Sequence, residues 1–146
     1  PMYRHILIPT DGSALSEQAI RQGVSLARTF GAGVTALTVW PTFHNFALDP
    51  ARVTATPERY EQDCAARAEK YLAAARVEAG IAGVPCETVH EMNDEPYRAI
   101  IDTARARHCD LIVMASHGRR GMSALLLGSE TSKVLTHSKI PVLVCR

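Results

Sequence analysis

No excess of charge, no paired cysteines and no long apolar run mark this chain, and each absence removes a class of function. Sixteen Lys and Arg nearly balance fifteen Asp and Glu, for a formal net charge of +1. A nucleic-acid footprint needs clustered basic excess. The densest basic pair here is Arg119-Arg120, which is not a patch, so nucleic acid is not an expected partner. Cys64, Cys86, Cys109 and Cys145 stand at least 22 positions apart, which rules out a CxxC redox motif or a zinc knuckle. Free thiols in a reducing compartment are the expectation. Apolar runs reach about five residues, against the roughly 20 of a membrane-spanning helix. Pro1-Met2-Tyr3-Arg4-His5 leads into an apolar segment with no signal-peptide pattern. A cytoplasmic protein without membrane contact is expected.

What is present is a foldable chain with a regular alternation. Its 146 residues fit a single domain over residues 1–146, and 47% hydrophobic against 21% charged residues argues against disorder. Ile6-Leu7-Ile8 reads as a buried strand ended by Pro9-Thr10-Asp11-Gly12-Ser13. Ala19, Ile20, Val24, Ala27 and Phe30 recur at helical steps up to Gly31. Val34 to Trp40 alternates as a second strand, closed by Pro41. From Pro41 to Pro57 no period holds, and a loop of that length is either a functional cover or a loose insertion. Glu58 to Ala79 is an alanine-rich helix with Gly80 as its stop. Pro85 to His90 is a short strand, and Asp94-Glu95-Pro96 opens the next helix. Asp110 to Ala115 is the clearest strand, Ser129 to His137 a helix, and Ile140 to Cys145 the final strand.

The order βαβαβαβαβ with continuous apolar strands predicts an α/β fold: a five-stranded parallel sheet with helices on both faces. Ligands of such sheets bind beyond the carboxyl ends of the strands, where strand order reverses. Two loops fall at that edge, 9–13 and 116–129. In the second, Gly128 permits close backbone approach and Ser129 stands at a helix start, where open N–H groups favour an anion. A plain serine N-cap and a phosphate-facing hydroxyl both fit Ser129. In the first, Asp11 fits either an N-cap or an acceptor for an exocyclic amine or ribose hydroxyl. The Walker pattern GxxxxGK(S/T), the dinucleotide pattern GxGxxG and the nucleophile elbow are missing. The six histidines show no metal spacing, and no paired carboxylates suggest acid–base catalysis.

Taken together, these loops resemble those of the universal stress protein family. Arg4 to Ser13 looks like that family's first strand and turn, and Ile140 to Val144 like its last strand. Asp110 to Gly118, followed nine residues later by Gly128-Ser129, is similar to its nucleotide signature: Gly, two residues, Gly, nine residues, then Gly and Ser or Thr. The departure is Ala115, which stands where that signature has its first glycine. The resemblance implies a Rossmann-like, adenine nucleotide alpha hydrolase-like fold that binds ATP, with Mg2+ accompanying the phosphates. It implies that Asp11 and the Val39 backbone face the adenine, and that Pro9, Thr10, Met114 and Ala115 line base and ribose. Gly118, Gly128, Ser129 and the Glu130 amide would cradle phosphates, with Arg119 and Arg120 nearby. It also implies a homodimer joined through the apolar edge Pro141 to Cys145, and a nucleotide sensor in the stress response. The alternatives are a slow ATPase and a nucleotide-free dimeric interaction protein. No arginine finger or positioned base is identifiable, so slow ATP hydrolysis is the most catalysis expected. Alanine at position 115 costs little if the backbone there is extended, and about 1–2 kcal/mol if it requires positive φ. Its place after Leu111-Ile112-Val113-Met114 favours the extended geometry.

Overall fold

In the computed structural model, residues 2–48, 56–118 and 127–146 are described. Among the described residues, five strands and five helices follow in the order β1 (His5–Pro9), α1 (Ala14–Phe30), β2 (Gly33–Trp40), α2 (Phe43–Phe46), α3 (Pro57–Ala82), β3 (Cys86–Met92), α4 (Pro96–Ala106), β4 (Leu111–Ala115), α5 (Ser129–His137) and β5 (Val142–Cys145). All strand pairs are parallel, and the sheet order is β3-β2-β1-β4-β5. The chain moves outward from β1 to β3, then returns to place β4 on the other side of β1. Strand order therefore reverses between β1 and β4.

The two faces follow from side-chain alternation. Ile6, Ile8, Val34, Ala36, Leu111 and Val113 point to one face, where α1 contributes Ala19, Ile20, Val24 and Ala27 and α3 contributes Leu72, Ala75 and Ala79. Leu7, Leu37, Ile112 and Met114 point to the other, against Ile100 and Ala104 of α4 and Val134 of α5. Ile6, Leu7, Ile8, Leu37, Leu72 and Ile112 are fully buried. Each such side chain contributes roughly 1.5–3 kcal/mol relative to exposure.

Several boundaries differ from the sequence expectation. Helix α3 runs past Gly80 to Ala82 and is closed by Gly83 in the left-handed region at φ 69. The cause is the residue that follows. Val84 is buried against the same core as Ala79, and its amide reaches the Ala79 carbonyl at 2.9 Å. The turn must therefore fall one residue before Val84. Strand β3 extends to Met92 because it pairs with β2 as far as Trp40↔Met92. Strand β5 begins only at Val142, since pairing with β4 starts at Ile112↔Val142.

The stretch without a period after Pro41 contains the short helix α2, capped by Thr42. Phe43 and Phe46 pack there on Tyr60, with ring centroids 5.6 and 4.3 Å away. Tyr60 also donates its hydroxyl to the Pro41 carbonyl at 2.5 Å, and burial pushes its phenol well above the ordinary value. On the other flank, Asp94 accepts from the Thr42 amide at 2.8 Å and from its hydroxyl at 3.0 Å. Residues 49–55 of that stretch lie outside the described residues.

Candidate functional site

The reversal between β1 and β4 brings the two predicted loops to the same edge of the sheet. Pro9 closes β1, and Thr10 follows it into the interior. Thr10 is 5% exposed; its amide donates to the Leu37 carbonyl at 2.8 Å and its carbonyl accepts from the Thr38 hydroxyl at 2.9 Å. Its own hydroxyl lies 3.1 Å from that of Ser16 and accepts from the Gly12 amide at 3.3 Å. Thr10 thus braces the loop with every polar group it has. Ser13, rather than Asp11, is the N-cap of α1, accepting from the Ser16 amide at 3.2 Å. Asp11 stands before the cap, half-buried, where Oδ1 accepts from the Ser13 amide at 3.0 Å. Gly12 has φ 78 and lies directly under the Tyr71 ring of α3, so a side chain there meets both strain and a clash.

The opposing loop meets this one at Gly118. A Cβ on Gly118 would stand 2.5 Å from Asp11 Oδ2, so the absence of a side chain is what lets the carboxylate lie against the loop backbone. Gly128 is likewise required for contact rather than for unusual angles. Its φ is an ordinary −64, but a Cβ would stand 3.1–3.2 Å from His117 and Ser116, and its amide reaches the Ser116 carbonyl at 2.7 Å. The described part of the loop ends at Gly118 and resumes at residue 127. Arg119 and Arg120 lie outside the described residues.

Helix α5 opens here without a side-chain cap. Gly128 is the N-cap, and Ser129 is the first helical residue rather than the cap. The reason is geometric: Gly128 still has extended angles, and only from Ser129 onward is the backbone helical. Ser129 is exposed and makes no hydrogen bond among the described residues. The first-turn amides have no partner within the helix and sit at its positive end. The turn itself is fixed. The buried Thr131 donates its hydroxyl to the Ala115 carbonyl at 2.9 Å, and Glu130 Oε1 accepts from the Tyr97 amide at 3.2 Å.

Ala115 closes β4 in register with Cys145, and the next amide, of Ser116, donates to the Cys145 carbonyl at 2.7 Å. Among the described residues, His108 alone among non-glycines has positive φ, so Ala115 carries no left-handed strain. Beside it, Met114 is buried in the α4–α5 core. Burial pushes the Cys145 thiol up, and it donates to Gln22 Oε1 at 3.2 Å. Val39 lies beyond the last β1–β2 pair, Pro9↔Leu37. The Leu37 carbonyl faces β1, so two residues on, the Val39 amide and carbonyl face the same side past the end of β1. Pro9, Thr10, Asp11, Val39, Met114, Ala115, Gly118, Gly128, Ser129 and Glu130 therefore all belong to one edge, though Thr10 and Met114 serve it from within. Among the described residues, no group of three His, Cys, Asp or Glu side chains could hold a metal ion.

Three contributors escaped the sequence reading. Tyr71 covers Gly12 from a helix 59 positions further along the chain, a contact no local spacing reveals. Thr131 is legible afterward as the third residue of the first turn, where a short hydroxyl reaches back to the preceding strand. The Glu130 side chain had no local signal, because its partner is the start of another helix.

Comparison with known proteins agrees with the residue-level reading. Residues 2–146 match the profile of the Universal stress protein family. A universal stress protein of Thermus aquaticus is 30% identical over 145 residues, covering 99% of this chain and all of the relative. Universal stress protein YxiE of Bacillus subtilis is 30% identical over 149 residues, with 99% and 100% covered. Among solved structures, UspA from Lactobacillus plantarum superposes with TM-score 0.78 at 27% identity, covering 100% of this chain and 99% of that one. Two more distant members share the fold: a universal stress protein solved with cAMP (TM-score 0.75, 21% identity, 100% and 99% covered) and one from Archaeoglobus fulgidus solved with dAMP (TM-score 0.73, 20% identity, all of both chains covered). With the parallel five-stranded sheet and the family match over residues 2–146, the chain belongs to the universal stress protein family.

Proposed function

We propose that this chain binds an adenine nucleotide, ATP, across the edge between β1 and β4, and that binding rather than turnover is its task. The observation that carries this reading is the glycine-capped start of α5, fixed beside the end of β4, with Ser129 exposed and the Ser129 and Glu130 amides without a partner among the described residues. Such a helix end favours an anion. Asp11 and the Val39 backbone face the adenine, Ala115 lies along the ribose, and Gly118, Gly128, Ser129 and the Glu130 amide hold phosphates, with Mg2+ travelling on them. The extended backbone at Ala115 supports binding despite the missing signature glycine, which weighs against the nucleotide-free alternative. The relatives solved with cAMP and dAMP support an adenine nucleotide as ligand class. Mass analysis of what co-purifies with the protein, followed by calorimetric titration with ATP, tests it. No nucleotide carried and no heat of ATP binding would overturn the reading.

The same proposal places the protein in the cytoplasm as a homodimeric sensor paired through β5. That strand lies at the sheet edge with Leu143 40% exposed, and an open apolar edge calls for a cover. Replacing Val142 and Val144 with lysine is expected to halve the sedimenting mass. An unchanged mass would exclude that edge as the interface.

A further inference from the structure

Glu130 has two faces. Its backbone belongs to the first turn of α5, where its amide has no partner among the described residues, while its carboxylate leaves that turn for the neighbouring helix. Helix α4 starts at the same sheet edge, and its N-cap residue Glu95 makes no side-chain cap. The Glu95 carboxylate instead pairs with Arg98 at 2.7 Å. The amide left open at the second residue of α4, that of Tyr97, donates to Glu130 Oε1 at 3.2 Å. The other oxygen, Oε2, lies 3.3 Å from Lys133. Lys133 also stands 5.5 Å over the Tyr97 ring, and the His137 ring packs on that ring with centroids 5.4 Å apart. One carboxylate thus joins the starts of two helices, and residues one turn and two turns further along α5 enclose the joint.

We propose that Glu130 is a positioning residue for the phosphate end of the site: its carboxylate, held between the Tyr97 amide and Lys133, sets the first turn of α5 against α4 so that the turn's own amides face the edge. This inference rests on the nucleotide-binding reading and adds to it which side chain holds the phosphate cradle in place. The physical basis is reach together with polarity. A carboxylate is favoured at the positive end of α4. There it anchors α5 laterally, while Thr131 anchors the same turn to β4. The two bonds run in different directions and together fix the orientation of the helix end.

Two substitutions separate reach from charge. Glu130→Gln keeps the reach and an acceptor oxygen but removes the charge. Glu130→Asp keeps the charge but draws the carboxylate back by about 1.5 Å, out of hydrogen-bond distance. Parent and variants are titrated with ATP and with adenosine, and amide exchange is read at Tyr97. Glu130→Asp is expected to speed Tyr97 exchange and weaken ATP about fivefold while adenosine stays within about twofold, the loss of one positioning hydrogen bond. Glu130→Gln is expected to keep Tyr97 protected and to weaken ATP less than Glu130→Asp does. ATP affinity unchanged by Glu130→Asp, or ATP and adenosine weakened equally, would overturn the positioning role. So would a loss confined to Glu130→Gln. A parent that binds neither ligand overturns instead the functional reading above, and this role falls with it.

Discussion

Helices α1 and α5 both begin at the carboxyl edge of the sheet, directly after the strands that flank the reversal, yet they begin in opposite ways. Helix α1 is closed by its own side chains: Ser13 caps it, Ser16 returns its hydroxyl to the Ser13 carbonyl at 2.9 Å, and the Thr10 hydroxyl lies 3.1 Å from that of Ser16. Helix α5 is capped by a glycine that offers no side chain, and its first residue presents an exposed hydroxyl. The first start is a finished structural corner. The second is held from outside, by the Ser116 carbonyl on the Gly128 amide, the Ala115 carbonyl on the Thr131 hydroxyl and the Tyr97 amide on the Glu130 carboxylate, while the Ser129 and Glu130 amides have no partner among the described residues. Two strand–loop–helix units of one sheet thus divide the work: one gives rigidity and a carboxylate, the other, on the proposed reading, an anion cradle.

The comparison breaks most visibly at Gly12. Gly12→Ala on the closed side meets the strain of φ 78 and the Tyr71 ring together. A stability loss of about 2–4 kcal/mol is expected, from roughly 1–2 kcal/mol of left-handed strain and a similar overpacking cost. A denaturation midpoint equal to the parent's would show that this corner is not rigid.

Exchanging the two serines sharpens the contrast. Ser129→Ala removes a hydroxyl from the open start and is expected to weaken ATP by about tenfold or more, the usual worth of a hydrogen bond to a charged group. Because Ser129 does not cap α5, stability should move by no more than about 0.5 kcal/mol. Ser13→Ala should do the reverse, costing about 1 kcal/mol of stability as a lost cap. Its ATP affinity should stay close to the parent's. Matched calorimetry and denaturation on the two variants check this. Equal losses of both quantities in both variants would erase the distinction.

The smallest effect belongs to Ala115→Gly. With Ala115 already extended in β4, the ATP dissociation constant should stay within about threefold of the parent. Stability should fall by about 0.4–1 kcal/mol, as the unfolded chain gains freedom. A tenfold gain in ATP affinity would mean that the alanine methyl obstructs the ribose.

The alternation of strands and helices was legible because Ile6-Leu7-Ile8 and Leu111 to Ala115 are continuous apolar runs and α1, α3 and α4 carry buried residues at helical steps, and both patterns arise from burial on two faces. That the loops 9–13 and 116–129 leave from one edge was legible from the strand pattern, since a parallel sheet puts all carboxyl ends on one edge. What sequence could not decide was which residue of a helix start carries the cap. Ser13 and Gly128 hold that place rather than Asp11 and Ser129 because backbone angles set it, and adjacent candidates share the same composition. The sequence pattern also placed the stop of α3 at Gly80, whereas the burial of Val84 puts the turn at Gly83. Tyr71 on Gly12 and Glu130 on the Tyr97 amide stayed hidden, because each joins elements brought together only by the finished sheet.

The division between the two helix starts is tested most directly by following backbone amide resonances while the protein is titrated first with adenosine and then with ATP. The account predicts that Ser129 and Glu130 shift with ATP and stay still with adenosine, while Ser16 and Glu17 of α1 shift with neither beyond the small drift of their neighbours. Shifts of equal size at both helix starts, or ATP shifts confined to α1, would contradict it.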